Sequence, residues 1–178
     1  MRKQNRRLLI KIGGICLFFT LILSCGYGFA PKGDYIDKRI QNIYVEAFDN
    51  KTSQASIENY VRTAFINQIL LNSRFKTVAS VEAADAIIKG RVLNINTSPL
   101  SYRANTLVAE ERATVIVEIN FREKESGKTI WSSKNVTGSV DYKMENNINM
   151  FPAARKNALI KLSNDMAEKA FNMMMAGF

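Results

Sequence analysis

The sequence contains no histidine and only two cysteines, Cys16 and Cys25, among its 178 residues. A Ser-His-Asp triad, a Cys-His pair and an imidazole-thiolate zinc site all need residue types that are missing. No glycine-rich loop ends in lysine and serine or threonine, the pattern that cradles a nucleotide phosphate. These absences exclude the usual metal, nucleophile and nucleotide chemistries. We therefore predict a binding protein that is not an enzyme and that needs no cofactor.

Acidic residues are spread singly along the chain, which also argues against acid-base catalysis. The only adjacent pair is Glu110-Glu111, and neighbouring side chains point to opposite sides of an extended strand. A carboxylate dyad that shares one proton would need both groups on the same side.

Positive charge is concentrated at the start of the chain. The formal net charge is +9, but five of the 25 basic residues and no acidic residue occur in residues 1–24. The remainder has 20 basic and 16 acidic residues, a net charge of +4. Long-range attraction to a polyanion depends on a large field from the whole molecule, so we predict no nucleic-acid partner.

The N-terminus has the layout of a secretory signal. Basic residues come first, and the uninterrupted apolar run from Ile12 to Leu23 has only twelve residues, whereas a spanning helix needs about 20. Ser24-Cys25-Gly26 after this run resembles the lipobox of bacterial lipoproteins. We predict a cleaved signal peptide at residues 1–24, with acyl chains such as palmitate on Cys25. The alternative is an uncleaved membrane anchor in which Cys25 is unmodified.

Residue 26 bears on the destination of such a lipoprotein. Gly26 is not the aspartate that retains enterobacterial lipoproteins at the inner membrane. This resemblance implies that the protein is located at the periplasmic face of the outer membrane. Residues 25–38 are rich in glycine and have no period, so we predict a tether there and a single domain at residues 39–178.

Periodicity predicts six elements within that domain. Four are strands: Arg39 to Phe48, Ala86 to Thr97 (closed by Pro99), Ala113 to Phe121, and Thr129 to Tyr142 after a Ser126-Gly127 turn. Phe75 to Val78 is only a short extended piece. One helix has its apolar face at Ile57, Val61, Ala64, Phe65 and Ile69, and a second runs from Pro152 towards Gly177.

The predicted order is therefore β-α-β-β-β-α, an α/β (α+β) fold. A sheet with one polar face must cover its other face, and two amphipathic helices are available to do so. We predict a two-layer sandwich of a four-stranded sheet with both helices on one face.

One basic loop stands out as a candidate binding site. Arg103 lies beside Tyr102 in the predicted loop between the second and third strands, and Lys143 follows the fourth strand in a comparable position. A guanidinium fork pairs well with phosphate oxygens, although a solvated loop arginine is the commoner reading.

Several segments together resemble the lipopolysaccharide-assembly lipoprotein family LptE. They are the lipobox with Cys25-Gly26-Tyr27, VEAFDNKT at residues 45–52, ADAIIKG at 84–90, SYR at 101–103, GKTIW at 127–131, and the alanine-rich last helix. The resemblance implies a partner of the β-barrel LptD that sits in its lumen as a plug and helps deliver lipopolysaccharide to the outer leaflet. It also implies that Arg103 and Lys143 contact lipopolysaccharide, and it implies no stable homo-oligomer.

Other functions remain open at this point. The domain could mainly stabilise the barrel, with contacts to lipopolysaccharide incidental. It could instead be a ring-forming secretion-channel lipoprotein or an activator of a peptidoglycan synthase, which can share the early strand-helix pattern. A hydrolase is the least favoured reading.

Overall fold

A computed structural model describes residues 35–72, 75–102, 108–144 and 151–177. The two candidate residues Cys25 and Arg103 lie outside these ranges. The described elements, in chain order, are β1 (Asn42–Val45), β2 (Asp49–Asn50), α1 (Ile57–Asn72), β3 (Lys76–Thr77), β4 (Ala86–Tyr102), β5 (Val108–Glu123), β6 (Thr129–Lys143) and α2 (Phe151–Ala176).

The strands form one mixed sheet in the order β3-β1-β4-β5-β6, and β2 pairs with β4 beside β1. β1 is parallel to both β3 and β4, whereas β4, β5 and β6 form an antiparallel meander. The parallel neighbours are joined through α1, as a parallel pair requires a crossover connection.

The predicted helix and strand periodicities are confirmed at α1 and β5. All five residues of the predicted α1 face are at most 3% exposed. Along β5 every second residue is buried, and these residues share one core cluster with the buried residues of both helices, listed as Ala113, Val115, Val117, Ile119 and Phe121. The mixed α+β class and the helix-on-sheet layering follow from this packing.

The predicted strand count and element order are wrong, because the sheet has six strands and the order is β-β-α-β-β-β-β-α. The two additional strands have two residues each. β2 follows directly after the predicted first strand, and β3 lies inside the predicted extended piece at Phe75 to Val78. Neither strand is long enough to show an alternation of apolar and polar residues. Each is a strand because its backbone pairs with a neighbouring strand, β2 with β4 and β3 with β1.

β4 is longer than predicted, since it passes through Pro99 and ends at Tyr102. Within the described part of the chain, β1 and β2 pair with β4 only as far as Val92, so beyond that residue β4 is an edge strand with β5 on one side. Proline lacks an N–H and is tolerated where that group would face solvent. The ladder also contains bulges around Pro99 and Ser101, which are common at edges.

Helix α2 packs closely on β6 at Gly138. A Cβ atom at this position would lie 2.2 Å from Cγ of Met166 and 2.9 Å from Cδ1 of Leu162. Only glycine leaves room for both side chains, so residue 138 sets the spacing between helix and sheet.

The chain packs against the core before residue 39, where we expected the domain to begin. Ile36 is 1% exposed, and the Tyr35 hydroxyl donates a hydrogen bond to the carbonyl oxygen of Met174 in the last turn of α2. Burial raises the pKa of Tyr35 above its ordinary value. Among the residues described, neither helix is both long and apolar enough to cross a membrane.

Candidate functional site

The far ends of β4, β5 and β6 form what we call the tip, comprising residues 100–102, 108–111 and 141–143. Tyr102 pairs with Val108, Ser101 pairs with Glu110, and Glu110 pairs with Lys143. Three strands therefore finish at the same level. Leu100 and Tyr102 are exposed there, at 42% and 62%.

Of the two predicted basic residues, the structure describes only Lys143, which lies at the tip. Lys143 is exposed but is the last residue of β6, so its predicted place in a loop is wrong: its backbone pairs with Glu110. Arg103 lies outside the described residues; in the sequence it directly follows Tyr102, the last residue of β4. The predicted loop from Leu100 onward is also shorter, because β4 includes Leu100 to Tyr102.

Glu110 and Glu111 have different partners, as expected for neighbours in an extended strand. The Ser101 hydroxyl donates a hydrogen bond to Glu110 over 3.3 Å, and the Tyr142 hydroxyl donates one to Glu111 over 2.6 Å. Burial of Tyr142, together with this hydrogen bond to a carboxylate, raises its pKa to about 12. The phenol is therefore a neutral donor at physiological pH, and the two carboxylates do not form a dyad.

A two-bond ion pair joins β5 and β6 just below the tip. Arg112 donates from Nε and Nη2 to the two carboxylate oxygens of Asp141, over 2.6 and 2.8 Å. The hydrogen bonds raise the pKa of Arg112 and lower the pKa of Asp141. Because its charge is matched, Arg112 is a poorer candidate for a phosphate contact than Lys143, for which no ion pair is found among the described residues.

The polar face of the sheet has a depression of about 330 Å³ near β1 and β2. Its charged side chains, three carboxylates and two cations, pair with one another: Lys89 lies 2.6 Å from Glu46, and Arg91 lies 3.5 Å from Asp49 and 3.6 Å from Glu118. Oε2 of Glu46 has no partner with hydrogen-bond geometry, but the ammonium of Lys89 compensates its charge at that distance. This arrangement holds strands together, and its excess of one carboxylate disfavours an anionic ligand.

The opposite end of the sheet, which we call the tether end, is where the chain enters the fold. Tyr35, the β5–β6 turn at residues 124–128 and the C-terminal ends of both helices lie there. β5 runs from the tip to this end with 16 residues, which corresponds to about 50 Å at about 3.4 Å per residue. Lys143 is thus at the opposite end of the sheet from Tyr35.

The described residues were also considered as possible metal ligands. Within the ranges that the structure describes, no three His, Cys, Asp or Glu side chains are placed to hold a metal ion.

Comparison with protein families assigns the domain to a known group. The family model described as "LptE: Lipopolysaccharide-assembly" matches residues 40–174, which include all eight described elements up to the last turn of α2. The chain belongs to the LptE family. Membership makes it a lipopolysaccharide-assembly lipoprotein of the bacterial envelope, a class without enzymatic activity. No curated protein matches the sequence.

Solved structures similar to this LptE-family chain share its fold at low sequence identity. Lipoprotein B from Nitrosomonas europaea is 16% identical, with 84% of this chain and 92% of that chain covered and a TM-score of 0.53. The PelC dodecamer from Paraburkholderia phytofirmans is 12% identical over 78% and 91% of the two chains, with a TM-score of 0.51. A Caulobacter crescentus lipoprotein is 10% identical over 74% and 89%, with a TM-score of 0.50.

The side-chain contacts that order the tip of this LptE-family fold cannot be identified from the sequence alone. The pairs Tyr142–Glu111 and Arg112–Asp141 depend on the register of β5 with β6. That register could have been counted outward from the Ser126-Gly127 turn, although a bulge between Val117 and Ile119 shifts it.

Proposed function

We propose that this protein is an outer-membrane lipoprotein that partners and plugs the β-barrel LptD and helps insert lipopolysaccharide into the outer leaflet. In this proposal residues 1–24 are removed, acyl chains on Cys25 anchor the protein to the periplasmic leaflet, residues 25–38 include the tether, and residues 39–178 hold the single domain. Arg103 and Lys143 bind lipopolysaccharide phosphates.

The observation that carries the proposal is the distance between the tether end and the tip. The sheet spans about 50 Å by its strand length, whereas the hydrocarbon core of a bilayer is about 30 Å thick. A domain anchored at the periplasmic leaflet is long enough, inside a barrel, to bring its tip to the level of the outer leaflet. The family match supports the same role.

At the tip, the chemistry suits a phosphate ligand. Lysine and arginine form charge-assisted hydrogen bonds with phosphate oxygens, and they can replace divalent cations that bridge neighbouring lipid A molecules. Such competition would loosen aggregated glycolipid so that single molecules can pass. The exposed Tyr102 ring adds a contact for sugar or acyl groups nearby.

Charge reversal at each end of the domain tests the lipopolysaccharide contact. Arg103→Glu with Lys143→Glu should weaken binding to lipopolysaccharide at moderate salt by about 10- to 100-fold per contact, since a charge-assisted hydrogen bond contributes about 1.5–3 kcal/mol. Lys128→Glu is the matched control, because this exposed lysine lies in the β5–β6 turn at the tether end. Equal losses from both ends would indicate a non-specific charge effect and would contradict the assignment.

Purification from the native host tests the partner. Tagged mature protein extracted in mild detergent should retain a large β-barrel polypeptide in near one-to-one amount. If the barrel is lost without the lipoprotein but is retained by the Arg103 and Lys143 double variant, stabilisation of the barrel is the main role.

A ring-forming secretion lipoprotein is the competing assembly, and one protein of similar fold, PelC from Paraburkholderia phytofirmans, is a dodecamer. If light scattering shows that the purified protein is a large homo-oligomer with no barrel attached, the ring-forming assembly is supported and the proposed LptD plug is contradicted.

A further inference from the structure

The half of β4 nearest the tip has a partner strand on one side only. Among the described residues, β1 and β2 pair with β4 as far as Val92, and β5 alone pairs with the rest of the strand. The register with β5 is regular from Asn94 to Pro99 and irregular on either side of that stretch. We call residues 94–99 the open edge. At about 3.4 Å per residue it is about 20 Å long, the length of an ordinary strand.

Backbone hydrogen bonds along β5 alternate between its two neighbours. Next to the β5–β6 turn, the N–H of Lys124 donates to the carbonyl of Asp85 on the β4 side, and the N–H of Glu123 donates to the carbonyl of Lys128 on the β6 side. This alternation continues residue by residue along an extended strand. The even-numbered residues of β5 therefore bond to β4, and the odd-numbered residues bond to β6.

This alternation shows which backbone groups of the open edge face outward. Asn94, Asn96 and Ser98 pair with even-numbered residues of β5, so their N–H and C=O groups are directed to β5. The N–H and C=O groups of Ile95 and Thr97 consequently face away from the sheet, as does the carbonyl of Pro99. Proline is tolerated where its missing N–H would face outward, so the position of Pro99 agrees with this assignment.

The open edge lacks the features that usually protect such a strand. Natural edges are blunted by lysine, by proline or by bulges. Here the bulges and Pro99 lie at the margins, and no charged residue occurs from Val92 to Tyr102. A regular row of alternating donors and acceptors matches the backbone of another extended chain, which is the basis of strand addition to a sheet. The chemistry of the open edge therefore fits a peptide segment.

A second copy of this chain does not fit the open edge in a symmetric pair. If two β4 strands ran antiparallel with their Thr97 residues opposite each other, Tyr102 of the second copy would reach the level of Val92. The outer side of Val92 is already occupied, because Asn50 pairs with it and its carbonyl accepts the N–H of Lys51. The occupant must be a short extended segment that turns away before it reaches β2.

We propose that an extended segment of the β-barrel partner binds at the open edge as an added strand. This inference rests on the proposed function and gives it a binding surface and a binding mode. The open edge directly precedes the tip, in the half of the sheet that the proposed function places deepest in the barrel lumen. A segment of the barrel protein inside the lumen is the peptide that this half of the sheet would meet. Main-chain hydrogen bonds would then hold the plug.

Hydrogen exchange in the co-purified complex tests the pairing. The complex is isolated with the tagged mature protein in mild detergent, and exchange is measured at single amides by mass spectrometry. The amides of Ile95 and Thr97 should exchange about tenfold more slowly in the complex than in the isolated protein, a factor that corresponds to about 1.4 kcal/mol. The amide of Ser139 is the matched control. It pairs with an even-numbered β5 residue, so it faces outward from β6 at the other edge and should change little.

A proline at position 97 tests the same contact by substitution. Thr97 is exposed, so Thr97→Pro removes an outward N–H and places its ring in the path of an added strand. We expect this variant to retain about tenfold less barrel protein after a wash with dilute urea. Thr97→Val keeps the N–H and the branched shape, and it should retain as much barrel as the native chain. Urea unfolding of the isolated variants measures whether the proline is accepted by the fold.

Each outcome has a distinct meaning. If the native chain retains no barrel, the proposed function fails and this inference fails with it. If the barrel is retained while Ile95 and Thr97 exchange as fast as in the isolated protein, the inference alone is overturned. Equal slowing at Ser139 also overturns it, because the lumen would then shield all edges alike.

Two further results bear on the occupant. Slow exchange of Ile95 and Thr97 in the isolated protein, together with a homo-oligomer by light scattering, would assign the open edge to a second copy and overturn the proposal. A folded Thr97→Pro protein that retains the barrel as strongly as the native chain also overturns it. If Thr97→Pro does not fold, exchange in the native complex decides.

Discussion

Substitution of Gly138 by alanine tests whether the spacing between α2 and β6 is set by this glycine. The added Cβ would lie 2.2 Å from Cγ and 2.8 Å from Sδ of Met166, and 2.9 Å from Cδ1 of Leu162. Met166 and Leu162 are at most 2% exposed and are four residues apart on one face of α2, so both must move, or the helix must shift. Overpacking of this kind costs about 1–3 kcal/mol, from which the better strand propensity of alanine removes about 0.5–1 kcal/mol.

The contacts of 2.2 to 2.9 Å correspond to the upper part of that cost, about 2–3 kcal/mol. We therefore expect Gly138→Ala to reduce the free energy of unfolding by about 1–2 kcal/mol, which lowers Tm by about 2–8 °C for a chain of this size. Urea unfolding should show a lower midpoint with an unchanged m-value. Ser139→Ala, at the exposed neighbouring position of β6, should leave the midpoint nearly unchanged.

A double-mutant cycle identifies the cause of that destabilisation. Met166→Ala alone costs about 2–5 kcal/mol, because it leaves a cavity. In that background Gly138→Ala should cost much less, since Cγ and Sδ of Met166 are gone. If Gly138→Ala costs the same in both backgrounds, or costs nothing in the native chain, close approach to Met166 is not what requires the glycine.

Three further predictions concern groups with specific partners. Hydrogen bonds from the backbone N–H groups of Asn42 and Gln41 lower the pKa of Asp85. The ionised carboxylate therefore stabilises the fold above the unfolded-state pKa near 4, and this stabilisation is lost as pH falls through the lowered pKa. Asp85→Asn should show a smaller loss of stability in acid denaturation. Tyr142, with a pKa of about 12, favours the folded state below about pH 10 and ceases to do so as pH rises through 12; Glu111→Gln should lower that value in an ultraviolet titration. Tyr35→Phe removes the bond to Met174, and residues before the core should be cut faster in limited proteolysis.

Each of these has an outcome that would contradict it. Identical acid unfolding of native and Asp85→Asn proteins would show that the hydrogen bonds from β1 do not stabilise the ionised carboxylate. An unchanged phenol titration in Glu111→Gln would leave burial as the only cause at Tyr142. Unchanged proteolysis of Tyr35→Phe, with Tyr60→Phe on α1 as the control, would mean that the buried Ile36 alone holds the segment.

Local periodicity was sufficient for the elements that bury a regular face. The spacing of Ile57, Val61 and Phe65 predicts α1, and the alternation around Val117 predicts β5, because each pattern repeats over several turns or pleats. Both helices and the three long strands follow from such patterns, and the layering follows from the need to cover the apolar face.

The features that could not be predicted from the sequence depend on pairing with distant strands. β2 and β3 have two residues each, so no alternation exists to be read, and their backbones become strands only next to β4 and β1. Pro99 predicts the end of a strand from sequence, but β4 continues through it because an open edge accepts proline. For the candidate site, the sequence indicated two basic residues at one end of the sheet, but the strand position of Lys143 depends on a register that bulges alter.

The bond between Tyr35 and the last turn of α2 joins residues that are 139 positions apart. A polypeptide that leaves a ribosome or a translocon N-terminus first exposes the Tyr35 hydroxyl long before its acceptor exists. This contact can form only after the final turn of α2 has emerged. Premature termination near the C-terminus would therefore leave the N-terminal segment without its docking site, far away in sequence from the lesion itself.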